Sequence, residues 1–153
     1  MNKLEFKKEV LHQAKQKHQT VVDDLQNEIN AMRESESDSY DGQTDLEELS
    51  QDVSANSTRE TIARELSFAQ DELQLLNRLV IQEPLHDEVT LGSVVDTDKR
   101  MFYVSASIEN FTADGKEIFG ISTKAPIYEA MKGLKKGAKF EMRNQHYKIK
   151  DVF

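Results

Sequence analysis

Residues Arg33–Asp52 read RESESDSYDGQTDLEELSQD, and they separate two long stretches patterned for helix. The segment holds Glu34, Glu36, Asp38, Asp41, Asp45, Glu47, Glu48 and Asp52, and no Lys or Arg falls between Arg33 and Arg59. Ser, Asp and Gly between Ser35 and Gln43 favour a reversal, with Asp41-Gly42 best suited to it. Thr44-Asp45-Leu46-Glu47 reads as a capping box, with Thr at the N-cap and Glu three residues later. A helix starting there carries acids in its first turn, where the positive end of the helix favours them. Ser54-Ala55-Asn56-Ser57 predicts an irregularity, or a restart at Ser57 or Thr58.

Outward from this segment, the first arm runs from Leu4 to about Arg33. Apolar or small residues recur at Leu4, Leu11, Ala14, Val21, Leu25 and Met32. His18 and Glu28 fall on the same seam, and Val22 and Ile29 lie beside it. This is an imperfect heptad, free of Gly and Pro. The arm would be about 45 Å long, and so narrow an apolar stripe needs a partner helix. The second arm supplies one. Ile62, Leu66, Ala69, Leu73, Leu76 and Val80 alternate four and three residues apart, an a/d seam. A short connection favours antiparallel packing. Level pairing puts Leu4 near Leu85 and the midpoint of the hairpin near Thr44 and Asp45.

The period changes at Pro84, which stops the second arm. Val89–Val95, Met101–Ile108, Ile118–Ser122, Lys139–Arg143 and Tyr147–Val152 are short and rich in β-branched and aromatic residues, with turn signals at Asp96-Thr97-Asp98, Asp114-Gly115 and Asn144-Gln145. Pro126 near the start and Gly133 at the end bound one short helix. The sequence therefore predicts an α+β chain: an antiparallel helical hairpin over 1–83, with an acidic tip at about 34–56, then a small antiparallel-sheet domain with one helix over 85–153.

The chain has 153 residues, 37% hydrophobic and 31% charged, with net charge −8. That lean composition suits a coiled coil joined to a modest core. The acidic balance argues against nonspecific nucleic-acid affinity, which needs a basic stripe. With no cysteine, disulfides, thiolate catalysis and Cys-based metal sites are excluded. No apolar run reaches membrane-spanning length and the N-terminal MNKLEFKKEV lacks an h-region, so a cytoplasmic, soluble protein is expected. His12, His18, His86 and His146 have no metal-ligand spacing and read as surface or seam residues. Phe102, Tyr103, Phe111 and Phe119 read as sheet core.

The run Ile121-Ser122-Thr123-Lys124-Ala125-Pro126-Ile127, then Ala130-Met131, Gly133 and Gly137, looks like the segment ISxxSPIxxALxGxxxG, aligned without a gap. That segment typifies the Gre (GreA/GreB) transcript cleavage factors of bacterial RNA polymerase, and this chain resembles a divergent member. Leu91-Gly92-Ser93 resembles the Phe-Gly-Ser/Ala that opens the family's first strand, and the alternating Tyr147–Val152 falls where the family ends. Ala125 replaces Ser, Lys132 an aliphatic residue, and Leu134 a Lys or Arg.

The resemblance implies an FKBP-like C-terminal domain that docks on the rim of the polymerase secondary channel, with Ser122, Ala125, Pro126 and Ile127 in the docking segment. It implies a hairpin that enters the channel. Two acids at the family's tip, in a Gly-Asp-Leu-x-Glu-Asn setting, help hold the second Mg²⁺ of the polymerase active site, and the polymerase then cleaves backtracked RNA. Asp45-Leu46-Glu47-Glu48 is the nearest match, which assigns those roles to Asp45 and Glu48. Gln43-Thr44 precede it, Leu49 replaces Asn, and the loop is longer. Asp38 and Asp41 have the same spacing and remain rivals. On this reading the chain is a monomer, not itself an enzyme. It has no cofactor of its own beyond the polymerase Mg²⁺, and meets the nascent RNA 3′ end only through the polymerase. The rival readings are a non-cleaving secondary-channel regulator or inhibitor, a prolyl isomerase or chaperone module, and a coiled-coil adaptor.

Overall fold

A computed structural model describes residues 2–37 and 46–153, with side chains described for all of these except 35–37 and 46–56. The elements are α1 (Lys3–Ser37), α2 (Leu46–Arg78), β1 (Val94–Thr97), β2 (Met101–Ser105), β3 (Ile108–Ala113), β4 (Lys116–Ser122), α3 (Pro126–Met131), β5 (Lys139–Met142) and β6 (Gln145–Val152). The fold is α+β: two long helices, then a six-stranded sheet with one short helix. Two compact units form, one of Met1–His18 with Glu72–Phe153 and the other of Gln19–Asp71.

Asn2 and Glu5 start α1 reciprocally. The Glu5 N–H donates to Asn2 Oδ1 at 2.8 Å, and the Asn2 N–H donates to Glu5 Oε2 at 3.2 Å. This is the logic of a capping box. α2 is continuous, so the irregularity expected at Ser54–Ser57 is absent from the backbone. Ser and Asn each weaken a helix by only tenths of a kcal/mol, and no Gly or Pro interrupts it. Its other end falls earlier than the seam predicts. α2 stops at Arg78, and Val80 lies beyond it, 72% exposed.

In the unit Gln19–Asp71, Val22 and Ile29 of α1 and Ile62, Leu66 and Ala69 of α2 are buried. The expected seam on α1 is therefore corrected. Val21 is exposed, as is Glu28, and the buried line passes from Ala14 through His18 to Val22 and Ile29. Two successive four-residue steps, Ala14 to His18 to Val22, rotate the apolar stripe off a strict heptad.

In the other unit the sheet order is β3-β4-β2-β1-β6-β5. Four of its strand pairs are antiparallel, but β2 and β4 are parallel, which corrects the all-antiparallel expectation. The cause lies in the β3–β4 hairpin. Its turn, Asp114-Gly115, has φ of 48° and 72°, the positive values that a two-residue hairpin demands. The hairpin seats β4 between β3 and β2, so β4 runs alongside β2. The crossover is tight at Gly120. A Cβ there would lie 2.7 Å from both the Ala106 carbonyl oxygen and Ile108 Cβ.

Met101–Ile108 is thus two strands rather than one, parted at Ala106-Ser107. The first strand starts at Val94, not Val89. Val89 is buried and pairs with the chain after α3: its N–H donates to the Leu134 oxygen, and its oxygen accepts from Gly133 N–H, each at 2.9 Å. The last turn is Arg143-Asn144, one residue earlier than expected, with φ of 50° and 64°.

Alternation along the strands builds two clusters. Val94, Met101, Tyr103, Phe111 and Ile118 pack with Phe6, Val10, Leu11, Ala14 and Leu76 of the helices. Val95, Phe102, Val104, Phe140, Tyr147 and Ile149 pack with Tyr128 and Met131 of α3. β2 is buried along its whole length, as a central strand covered on both faces should be. Phe102, Tyr103 and Phe111 are core as expected, and Phe119 is partly buried against the second cluster.

Candidate functional site

The sequence singles out two stretches: the acidic segment between the long helices, and the Ile121–Gly137 run. Of the tip acids, Asp38, Asp41 and Asp45 lie outside the described residues. Glu48 falls in the first turn of α2, and its side chain lies outside them too. What is described is the pairing that leads there. His18 Nε2 of α1 lies 3.7 Å from Glu72 Oε2 of α2, both buried. The chain position midway between these partners is 45, which agrees with the level pairing inferred from the seams.

Glu72 does more than face His18. Its Oε1 accepts the Ser107 N–H at 2.9 Å, so one carboxylate joins α2 to the β2–β3 connection. The backbone donor satisfies one oxygen of this buried carboxylate, and the other faces the imidazole.

The second stretch folds as one piece. Ser122 ends β4, and its Oγ accepts the Lys124 N–H at 3.1 Å while its carbonyl accepts the Ala125 N–H at 3.1 Å. Ala125 is the N-cap of α3, without a side-chain cap; its carbonyl accepts the N–H groups of Tyr128 at 3.0 Å and Glu129 at 3.3 Å. Pro126 opens α3, where a missing N–H costs nothing. Pro126 and Lys124 are exposed, Ser122, Ala125 and Ile127 are half-buried, and Tyr128 and Met131 anchor the helix in the core.

Gly133 and Gly137 have φ of 74° and 90°, a backbone that other residues adopt with strain. Both are tied down: Gly133 N–H donates to the Val89 oxygen at 2.9 Å and Gly137 N–H to the Ile149 oxygen at 2.8 Å. Two of the departures from the motif also acquire a setting. Leu134 packs against the second cluster, and Lys132 is exposed. Lys124, Pro126, Glu129 and Lys132 are exposed side chains of this stretch.

One buried group went unread in the sequence. Lys7 is 3% exposed, on the α1 face that buries Phe6, Val10 and Leu11. Burial pushes its ammonium down from 10.5 to about 8. Its place midway between Leu4 and Leu11 on the seam is the signal that could have found it. His86 is also held below its ordinary value, first by burial and then by the charge of Lys7, with Asp87 opposing. Among the described residues no cluster of three or more His, Asp or Glu is arranged to hold a metal ion, and no helix is long and apolar enough to cross a membrane.

No family model matches this chain, and no curated protein matches it. Among solved structures it is similar to the crystal structure of GreA factor homolog 1 (Gfh1) protein of Thermus thermophilus. That similarity has a TM-score of 0.34 at 18% identity, and it covers 91% of this chain and 94% of the other.

Proposed function

We propose that this protein is a Gre-like transcription elongation factor. It binds RNA polymerase at the secondary channel and uses its acidic tip to stimulate cleavage of backtracked RNA. The observation that carries the reading is the Ile121–Gly137 segment. Its resemblance to the Gre motif spans strand end, loop, helix and turn, and its two glycines sit where positive φ calls for them. The sequence order supports it further: the acidic stretch stands between two long helices, each with a line of buried apolar residues.

The chemistry is that of a ligand donor. Mg²⁺ takes oxygen ligands and keeps several waters, so a partner can complete a shell with one or two carboxylates. Asp45 and Glu48 are three residues apart in the sequence, the spacing at which two acids on a helix share a face and could reach one ion. Ser122, Ala125, Pro126 and Ile127 would dock on the channel rim. The cleavage itself belongs to the polymerase, and this protein is no nuclease alone. A second reading, a channel regulator without cleavage activity, is favoured by the tip: Leu49 stands in place of Asn, and Gln43-Thr44 precede the acids.

The test is RNA cleavage in a purified, backtracked elongation complex. Wild type is compared with Asp45→Ala/Glu48→Ala and with Asp38→Ala/Asp41→Ala. Stimulation lost only in the first pair is the expected result, and loss only in the second moves the site. Binding to polymerase without stimulation establishes the regulator, and absence of binding rejects both.

A further inference from the structure

Charge is sorted along this chain. Between Lys124 and Lys150 stand eight Lys or Arg and two Asp or Glu, a net +6 in a chain of net −8, so the remainder carries −14. The β5–β6 register gathers part of that charge on one face. Lys139 is directly opposite Lys148, and Lys150 follows on the same side of β6; all three are exposed, while Phe140, Tyr147 and Ile149 between them are buried. Like charges directly opposite on an antiparallel pair are destabilising. Among the described residues, no ion pair relieves Lys139, Lys148 or Lys150.

Lys99 adds to the patch, with its Nζ bonded to the His146 carbonyl and 5.0 Å from the centre of the Tyr147 ring. A groove of about 520 Å³ runs here, lined by Lys139, His146 and Lys148. Two carboxylates also line it. Asp98 Oδ1 is turned to the backbone, accepting the Lys148 N–H at 2.9 Å, and Glu141 stands opposite His146 in the β5–β6 register, so the lysines outnumber the carboxylates on this face only when Lys99 and Lys150 are included.

We propose that this face binds a single-stranded nucleic acid through its phosphates. Lysines two apart on a strand recur about every 6.6 Å, a row of point charges that a repeating phosphate backbone can satisfy without fixed bidentate geometry. A flexible single strand can follow such a row into a groove. The stacked Phe140 and Tyr147 rings line the groove but are only 8% and 6% exposed, so they offer no platform for bases. Binding is therefore independent of sequence and strongly dependent on salt. The acidic balance of the whole chain argues against such binding; it is the distribution of charge that permits it.

The test uses the full chain alone, so it stands or falls separately from the transcription reading. Fluorescence anisotropy is measured with labelled RNA of about 12 nucleotides in two sequences, an RNA duplex of the same length, and polyglutamate of matched charge, at about 50 to 200 mM salt. Both single strands should bind alike. Lys139→Gln/Lys148→Gln/Lys150→Gln should weaken binding at least ~10-fold at the low-salt end and reduce the salt slope by about 2, since each phosphate left unneutralised takes roughly 0.7 from it. A charge-matched control, Lys8→Gln/Lys15→Gln/Lys17→Gln on α1, should stay within ~2-fold. Removing opposed like charges should not lower the melting temperature, so weaker binding is not unfolding. No binding at low salt, equal loss in both variants, no loss in the β5–β6 variant, or a preference for polyglutamate or duplex would each overturn the proposal.

Discussion

Lys7 shows what a single buried charge does to this fold. The residue is 3% exposed, its ammonium has no hydrogen bond or ion pair among the described residues, and burial lowers it from 10.5 to about 8. A base held below its unfolded value is fully charged in both states below pH 8, so the penalty is then fully present. As pH rises from about 8 to 10.5 the folded state gives up the proton first, and stability rises. Conversion of the whole displacement gives about 3 kcal/mol as an upper bound, and relaxation of the ammonium toward water brings it to about 2 kcal/mol. Lys7→Met keeps the apolar stem and removes the charge. Urea melts at pH 7 should find it about 2 kcal/mol more stable than wild type, with no rise between pH 8 and 10 where wild type has one. The titration of His86 followed by NMR should move upward in the same variant, because the Lys7 charge helps depress it. A destabilised Lys7→Met would mean that the ammonium has a partner worth more than its burial costs.

At the scale of elements, the two positions Val21 and Val22 decide how α1 is read. Heptad counting selects Val21, yet Val22 is 8% exposed and Val21 38%. Val22→Asp should therefore lower stability by about 3 kcal/mol, through loss of apolar burial and desolvation of a carboxylate, and Val21→Asp by less than about 1 kcal/mol. Thermal unfolding followed by helical circular dichroism separates them, and equal effects would restore the heptad seam. The contrast also marks what was legible. Both long helices, the short helix at Pro126 and the switch to strands after Pro84 follow from periodicity and from Gly and Pro, which act locally. The parallel β2–β4 pair was not legible, because it follows from where a hairpin inserts in the sheet and not from any local pattern. Val80 misled for a similar reason. It continues the apolar period, but α2 has already ended at Arg78. The tip acids stand out as composition; on the proposed function, which of them act depends on the polymerase and not on spacing within this chain.

Over the whole molecule, stability should be uneven, and the two units say where. Met1–His18 with Glu72–Phe153 holds both sheet clusters, in which β2 is covered on each face and the helices contribute Phe6, Val10, Leu11, Ala14 and Leu76. Among the described residues, Gln19–Asp71 buries Val22, Ile29, Ile62, Leu66 and Ala69, with Leu25 and Met32 half-covered. Helical pairs with so narrow a seam gain little apolar burial for each residue ordered, whereas the sheet residues share theirs with neighbours on two sides. Opening of Gln19–Asp71 should therefore require less free energy than global unfolding, and the buried His18–Glu72 pair, with its bond to Ser107 N–H, should mark the inner limit of the easily opened segment. Native-state hydrogen exchange is the direct measurement. Amides of α1 beyond Gln19 and of α2 from Arg59 to Asp71 should exchange at least ~100-fold faster than those of β1 and β2, a difference of about 3 kcal/mol in opening free energy. Glu72→Ala should then extend fast exchange into the helix ends on either side of position 72 while the centre of the sheet stays protected, because it removes the acceptor for Ser107 and the facing carboxylate of His18 together. Uniform protection across both units would instead mean that the seam and the sheet open as one.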